Sequence, residues 1–362
     1  MSQSPGPSHS SNNYMASRLQ TTSLALLIFG CPIQALLGWG IAPLNAQPGS
    51  HLPIAEADHI QVGSSTLQVD FAEGPFDLPK SAILARIATA ASAVATYYGQ
   101  FPLATARILV IPVPDRHGIL QGTTWGDIHG SPGFTRLRIG QHTTQAELAA
   151  DWMITHELTH MAFPDMPSNP DDPRGDSPQH WIEEGLATYI EPVERVMIGD
   201  LTAPTIWHDM MRDMPQGEPG PGDQGLDHTH TWGRTYWGGA MFCLVADVQI
   251  REQTHNRLGL QDALRAIVAA GGTIDHNWDL PQTLAIGDRA TGTHVLTDLY
   301  TQWKDTPVQY DLPALWTQLG VLSTPNGIEL SDTAPLAEVR EAITRPRQSQ
   351  VPATVVQTPQ QK

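Results

Sequence analysis

The segment His156-Glu157-Leu158-Thr159-His160 places two histidines four positions apart, with a glutamate between them, inside a stretch that reads as helix. On a helix, residues i and i+4 lie one turn apart on one face, so both imidazoles can reach a single ion. Neutral imidazole suits Zn²⁺, which takes three protein ligands at catalytic sites and keeps one position for water. Glu157 can lean toward that water and take its proton. The third ligand has to come from elsewhere, so the pentapeptide also constrains the element that follows it. That element contains Trp181-Ile182-Glu183-Glu184-Gly185-Leu186-Ala187-Thr188-Tyr189, with Glu184 falling 24 positions after His160. A helix–loop–helix hairpin would return the Glu184 carboxylate to the two imidazoles. Gly185 beside it permits close helix approach, and Glu184, Thr188 and Glu191 share one helix face. Glu183 is the rival ligand. The plain alternative is a pair of histidines in ordinary polar contacts beside solvated carboxylates.

His156–His160 together with Trp181-x-x-Glu184-Gly185-x-Ala187-x-Tyr189 resembles the gluzincin peptidases, above all the glycyl aminopeptidase and alanyl aminopeptidase families. The resemblance implies a zinc ion on His156, His160 and Glu184, with Glu157 as base. Arg234-Thr235-Tyr236-Trp237-Gly238-Gly239-Ala240 is similar to the segment that carries the family's oxyanion-stabilising tyrosine, which implies that role for Tyr236. It also implies a thermolysin-like α+β fold, a small sheet-bearing N-terminal part packed on a helical C-terminal part, and a peptide or protein substrate. The chain departs from the alanyl family in a longer loop between His160 and Glu184, in Gly238 where a lysine is usual, and in lacking the G-x-M-E-N segment. Gly122-Thr123-Thr124-Trp125-Gly126, where that segment could fall, carries no glutamate. These departures favour the glycyl side of the resemblance.

Periodicity organises the rest of the chain. Leu67–Phe71 alternates as a strand does, Lys80–Tyr98 has helical spacing, Arg107–Ile111 is a dense apolar run suited to a central strand, and Thr135–Ile139 reads as another strand. Residues 118–133 look Gly-rich and irregular. Thr144-Gln145-Ala146-Glu147 is a capping box opening a helix that runs to Phe163, before Pro164. Ser177 and Pro178 open a second helix to about Ile190, and later helices are expected at 233–254, 260–270, 294–304 and 311–320. The expected organisation is an N-terminal signal over 1–46, a linker over 47–58, an α+β unit over 59–142, a helical metal-binding unit over 143–344, and a disordered tail over 345–362.

Arg18 precedes the apolar run Ser23–Ala46, which reads as an export signal cleaved near Ala46. An uncleaved membrane anchor is the alternative, and a lipoprotein box at Ile28–Cys31 a further one. Removal of Cys31 would leave Cys243 alone, with no intramolecular disulfide. A net charge of −17 argues against nucleic acid or an anionic membrane surface as partner. His228 and His230 form a small cluster that reads as a surface loop, with a second metal site as the alternative. His180 reads as an exposed first-turn residue, and Asp165, Asp171, Asp172 and Asp176 as a solvated loop. Glu191 could orient a metal-bound histidine or form a salt bridge. A zinc-containing peptide- or envelope-binding protein without hydrolysis is the functional alternative. The intact Glu157 weighs against it, because a binder needs no base.

Overall fold

The apolar run around Ile108 becomes β3, Thr105–Val113, an inner strand of a six-stranded sheet. Ile108 and Val110 are fully buried on one face and Leu109 packs with Ala72 and Phe134 on the other, which is why the run does not alternate. A computed structural model describes residues 54–128, 130–169, 177–347 and 350–356. The expected signal over 1–46, Cys31, and Asp171, Asp172 and Asp176 lie outside the described residues. No helix among the described residues is long and apolar enough to cross a membrane.

Before β3 come β1, Ile54–Val62, β2, Ser65–Ala72, and α1, Lys80–Tyr98. After it come β4, Ile119–Ile128, and β5, Ser131–Gly140. With β8, Ala353–Val356, the order across the sheet is β4-β5-β3-β2-β1-β8. β2, β3 and β5 run parallel, while β4 pairs antiparallel with β5 and forms an edge. α1 makes the crossover between parallel β2 and β3. It buries Ile83, Ile87, Val94 and Tyr97 in the same core as Ile60, Leu67 and Val69, and ends at left-handed Gly99 (φ 87°).

The helical part follows as α2, Gln145–Ala150, α3, Met153–Thr159, α4, His180–Ile198, α5, Ala203–Asp213, α6, Gly239–Gln253, and α7, Leu260–Ala269. It continues with α8, Leu280–Thr291, α9, Val295–Trp303, α10, Leu312–Leu319, a hairpin of β6, Val321–Thr324, and β7, Gly327–Leu330, and α11, Ala337–Ile343. One continuous core joins Leu137 and Ile139 of the sheet to Leu158, Trp181 and Phe242 of the helices. The architecture is the expected α+β arrangement.

Several sequence expectations are corrected. The linker over 47–58 gives way to β1 from Ile54, whose first four residues are exposed; their strand form comes from pairing with β2. The irregular segment 118–133 is instead mostly β4, whose glycines are demanded by close neighbours described below. The tail over 345–362 is ordered in part. Val351 donates its N–H to Thr96 Oγ1 (3.0 Å) and accepts from Ser92 Oγ (2.6 Å), so β8 docks on β1. α4 starts at His180, because Ser177 Oγ accepts from Gln179 N and closes a turn ahead of it. It then runs past Ile190 and through Pro192 to Ile198. An interior proline costs about 3 kcal/mol. Burial of Val193, Val196 and Met197 beyond it offsets this at roughly 1.5–3 kcal/mol each.

The single helix expected over 144–163 is broken. Its capping box forms as read, with Glu147 N donating to Thr144 Oγ1 and Thr144 N to Glu147 Oε2. Asp151 then turns extended (ψ 138°), and its carboxylate accepts from Met153 N (2.8 Å), restarting the chain as α3. Burial pushes the Asp151 carboxyl up to about 6, against the pull of the Met153 and Ile154 N–H groups and Arg86. An ordinary Asp ionises near 3.8, so the folded state holds the proton more tightly and this residue's contribution to stability falls as pH rises from about 4 to 6. Asp151→Asn keeps a capping acceptor without the charge. The wild type should therefore lose about 1–3 kcal/mol relative to this variant between pH 4 and pH 6.5 in urea unfolding. Parallel stability curves would contradict it.

Candidate metal centre

His156 stands in the middle of α3. His160 opens the 3₁₀ turn His160–Ala162, whose αR backbone continues the helix closely enough to keep both imidazoles on one face. The turn ends at Phe163, which is extended (ψ 144°) as a residue before proline must be. Glu184 faces them from the second turn of α4. The crossing that brings α4 close depends on two glycines. A Cβ on Gly185 would lie 2.3 Å from the Gly239 backbone, and one on Gly239 would lie 2.2 Å from the Trp181 carbonyl. Trp181 is fully buried and donates from Nε1 to Asp227 (2.8 Å), which fixes the start of α4.

Glu184 Oε2 lies 3.1 Å from His156 Nε2 and 3.7 Å from His160 Nε2, and one ligand atom from each of the three residues falls within 4.8 Å of the others. A tetrahedral Zn²⁺ with bonds of about 2.1 Å separates its ligand atoms by roughly 3.4 Å, so two imidazoles and a carboxylate at this spacing fit the ion. Among the described residues this is the one such cluster. Burial pushes Glu184 up, but His160, His156 and His180 outweigh it and hold the carboxyl at about 2. Burial lowers His160 to about 4, leaving the ring neutral at pH 7, the form a metal would require. For His156, burial is outweighed by Glu184, and the ring is raised.

Glu157 is buried between α3 and β4. Thr124 Oγ1 donates to Glu157 Oε2 at 2.7 Å and also approaches the Glu157 carbonyl at 2.9 Å. A Cβ on Gly122 would lie 2.5 Å from Glu157 Cγ, and one on Gly126 would lie 1.9 Å from the Ile274 carbonyl. Of the glycines that disguise β4 in the sequence, Gly122 is where the edge strand meets Glu157, and Gly126 is where it meets the Ile274–Asp275 backbone. Burial pushes Glu157 up to about 7, opposed by His156 and Thr124.

Tyr236 lies on a π-helical turn, Arg234–Gly238, directly ahead of α6. Its ring stacks on His156 (centroids 6.3 Å apart, 21° between planes) and on the half-exposed Trp232 (5.5 Å, 23°). Such single π turns recur at functional sites.

The other sequence candidates separate clearly. Glu183 points away from the cluster, accepting from Met166 N (2.8 Å) and meeting His180 Nδ1 (3.0 Å). Glu191 pairs with Arg195 (2.9 Å), and His156 Nδ1 has no hydrogen-bond partner, so Glu191 is a salt-bridge residue. His228 pairs with Asp305 (2.8 Å) at the surface, and His230 is exposed. Asp165 joins Asn277 in an isolated bridge. Cys243 is buried and free. The parts played by Thr124, Gly122 and His180 did not emerge from the sequence. For His180 a signal was present, since His180 and Glu184 stand at i and i+4.

No family model matches the chain, and no curated protein sequence does. Among solved structures, it is similar to the aminopeptidase N family protein from Idiomarina loihiensis, at 14% identity and a TM-score of 0.54, over 74% of this chain and 49% of that one. It is also similar to an M1 zinc metallopeptidase from Deinococcus radiodurans, at 16% identity and a TM-score of 0.45, over 70% and 52%. The chain spans about half the length of these proteins. The first likeness shows a shared fold, the thermolysin-like arrangement of sheet and helices.

Proposed function

We propose that the chain is an exported zinc-dependent peptidase of the gluzincin kind. The observation that carries this is the convergence of His156, His160 and Glu184 from two helices at ligand spacing, with Glu157 buried beside them. When bound, zinc would polarise a scissile carbonyl and lower the pKa of a water toward ~7. Glu157, steadied by Thr124, would take the water's proton and hand it to the leaving amine. Tyr236 would donate a hydrogen bond to the oxyanion, from a ring already stacked on His156. β4 borders Glu157 as an edge strand, a setting suited to an extended peptide. Export rests on the apolar run Ser23–Ala46.

The test is metal content and turnover. The purified chain should hold about one zinc per molecule by elemental analysis, with His156, His160 and Glu184 as the three protein ligands. It should also cleave members of a mixed peptide pool, read by mass spectrometry. His160→Ala should lose the metal and the cleavage together. A chain without metal overturns the proposal, and a zinc-loaded chain without turnover leaves the peptide-binding alternative.

A further inference from the structure

The carboxylate of Glu184 has two oxygens, and the structure gives them different neighbours. Oε2 faces His156 and His160, the side an ion would occupy. Oε1 lies 3.4 Å from His180 Nε2. His180 opens α4, so Glu183 and Glu184 stand at i+3 and i+4 on its face. Its other ring nitrogen, Nδ1, lies 3.0 Å from Glu183 Oε2, and Glu183 Oε1 in turn accepts the backbone N–H of Met166 at 2.8 Å. A continuous chain of polar contacts therefore runs from the backbone beyond the 3₁₀ turn of the two-histidine helix, through Glu183 and His180, to the outer oxygen of Glu184.

Resting on the zinc reading above, we infer that His180 is a positioning residue for the metal ligand Glu184, holding Oε1 so that Oε2 is presented to the ion. The physical reason is geometric. A free glutamate can rotate its carboxylate, and a ligand that must be ordered on binding loses affinity. Partners of ligating carboxylates set their orientation, and removing one typically weakens metal binding 10- to 100-fold. His180 is placed for this and not for ligation, because its nearer nitrogen meets the outer oxygen of Glu184. The ring also does not belong to the cluster of three ligand atoms. The anchor on Glu183 matters equally, since an imidazole held only by Glu184 would move with it. Glu183 thereby gains a role as the brace of the clamp rather than as the rival ligand.

The experiment measures zinc affinity of the full chain by competition with a chromogenic chelator, together with the visible spectrum of the Co²⁺-substituted protein. His180→Ala should bind zinc about 10- to 100-fold more weakly than wild type and shift the Co²⁺ bands. His180→Gln, whose amide N–H can donate to Glu184 but whose carbonyl oxygen cannot replace the contact with Glu183, should recover part of the affinity. Urea unfolding of the metal-free proteins separates positioning from folding. A His180→Ala chain that loses metal-free stability but keeps wild-type zinc affinity and spectrum overturns the inference. So does a His180→Gln chain as weak as His180→Ala. Wild-type chain that binds no zinc would overturn the peptidase reading as well, an outcome distinct from the other two.

Discussion

Glu157→Gln should keep its zinc and lose about 10²- to 10⁴-fold in kcat, the range general-base catalysis contributes. The structure makes this substitution unusually clean. Thr124 Oγ1 donates to Glu157 Oε2, and the glutamine amide oxygen can accept the same bond. Burial already pushes the Glu157 carboxyl up to about 7, so a neutral amide there relieves a desolvation cost. The fold should therefore be unharmed, and any loss of turnover belongs to the missing base. Cleavage of the peptide pool and zinc content, measured on one preparation, decide the matter. Residual activity near the wild-type level would remove Glu157 from the reaction, and loss of zinc would assign it a structural role.

Gly185→Val should destabilise the folded chain by about 3 kcal/mol or more. The obstacle is backbone, not a side chain that could turn aside: the new Cβ would lie 2.3 Å from the Gly239 Cα and carbonyl carbon. α4 and α6 must then separate by an ångström or more. Glu184 is the residue before Gly185, so the separation also draws the third ligand from the imidazoles. Gly185→Ala should cost less, about 1–3 kcal/mol, and should still weaken zinc binding. Urea unfolding of the metal-free chains and chelator competition on the same variants read the two effects. If both variants unfold at the wild-type midpoint, the close approach of the helices is not required.

The distance between these two effects reflects how the site is built. The chemistry proposed for it is local, one base and three ligands, while its geometry depends on a glycine contact between helices whose glycines lie 54 positions apart in the chain. Tyr236 belongs to the same arrangement. The π turn that carries it leads directly into α6 at Gly239, so the position of the ring over His156 and the crossing at Gly185 are set together.

The amino-acid sequence by itself marked the two imidazoles and the helix that carries the candidate third ligand. Spacing of four on a helix fixes which two imidazoles share a face, which follows from local backbone geometry, while the choice of Glu184 over Glu183 rests on tertiary contacts that turn Glu183 toward Met166 and His180. It also determined α1, the inner strand β3 and the capping box at Thr144, where apolar period or hydrogen-bonding side chains act over a few residues. Only the tertiary structure decided β4, β8 and the break at Asp151. Glycine in β4 reads as weak strand because the reason for it, Glu157 against Gly122, lies 35 positions away. β8 forms because β1 offers it an edge, and the break in the helix exists because Asp151 can cap α3. His180 shows the same division: its spacing from Glu184 was legible, but its grip on the outer oxygen depends on Met166 holding Glu183 in place.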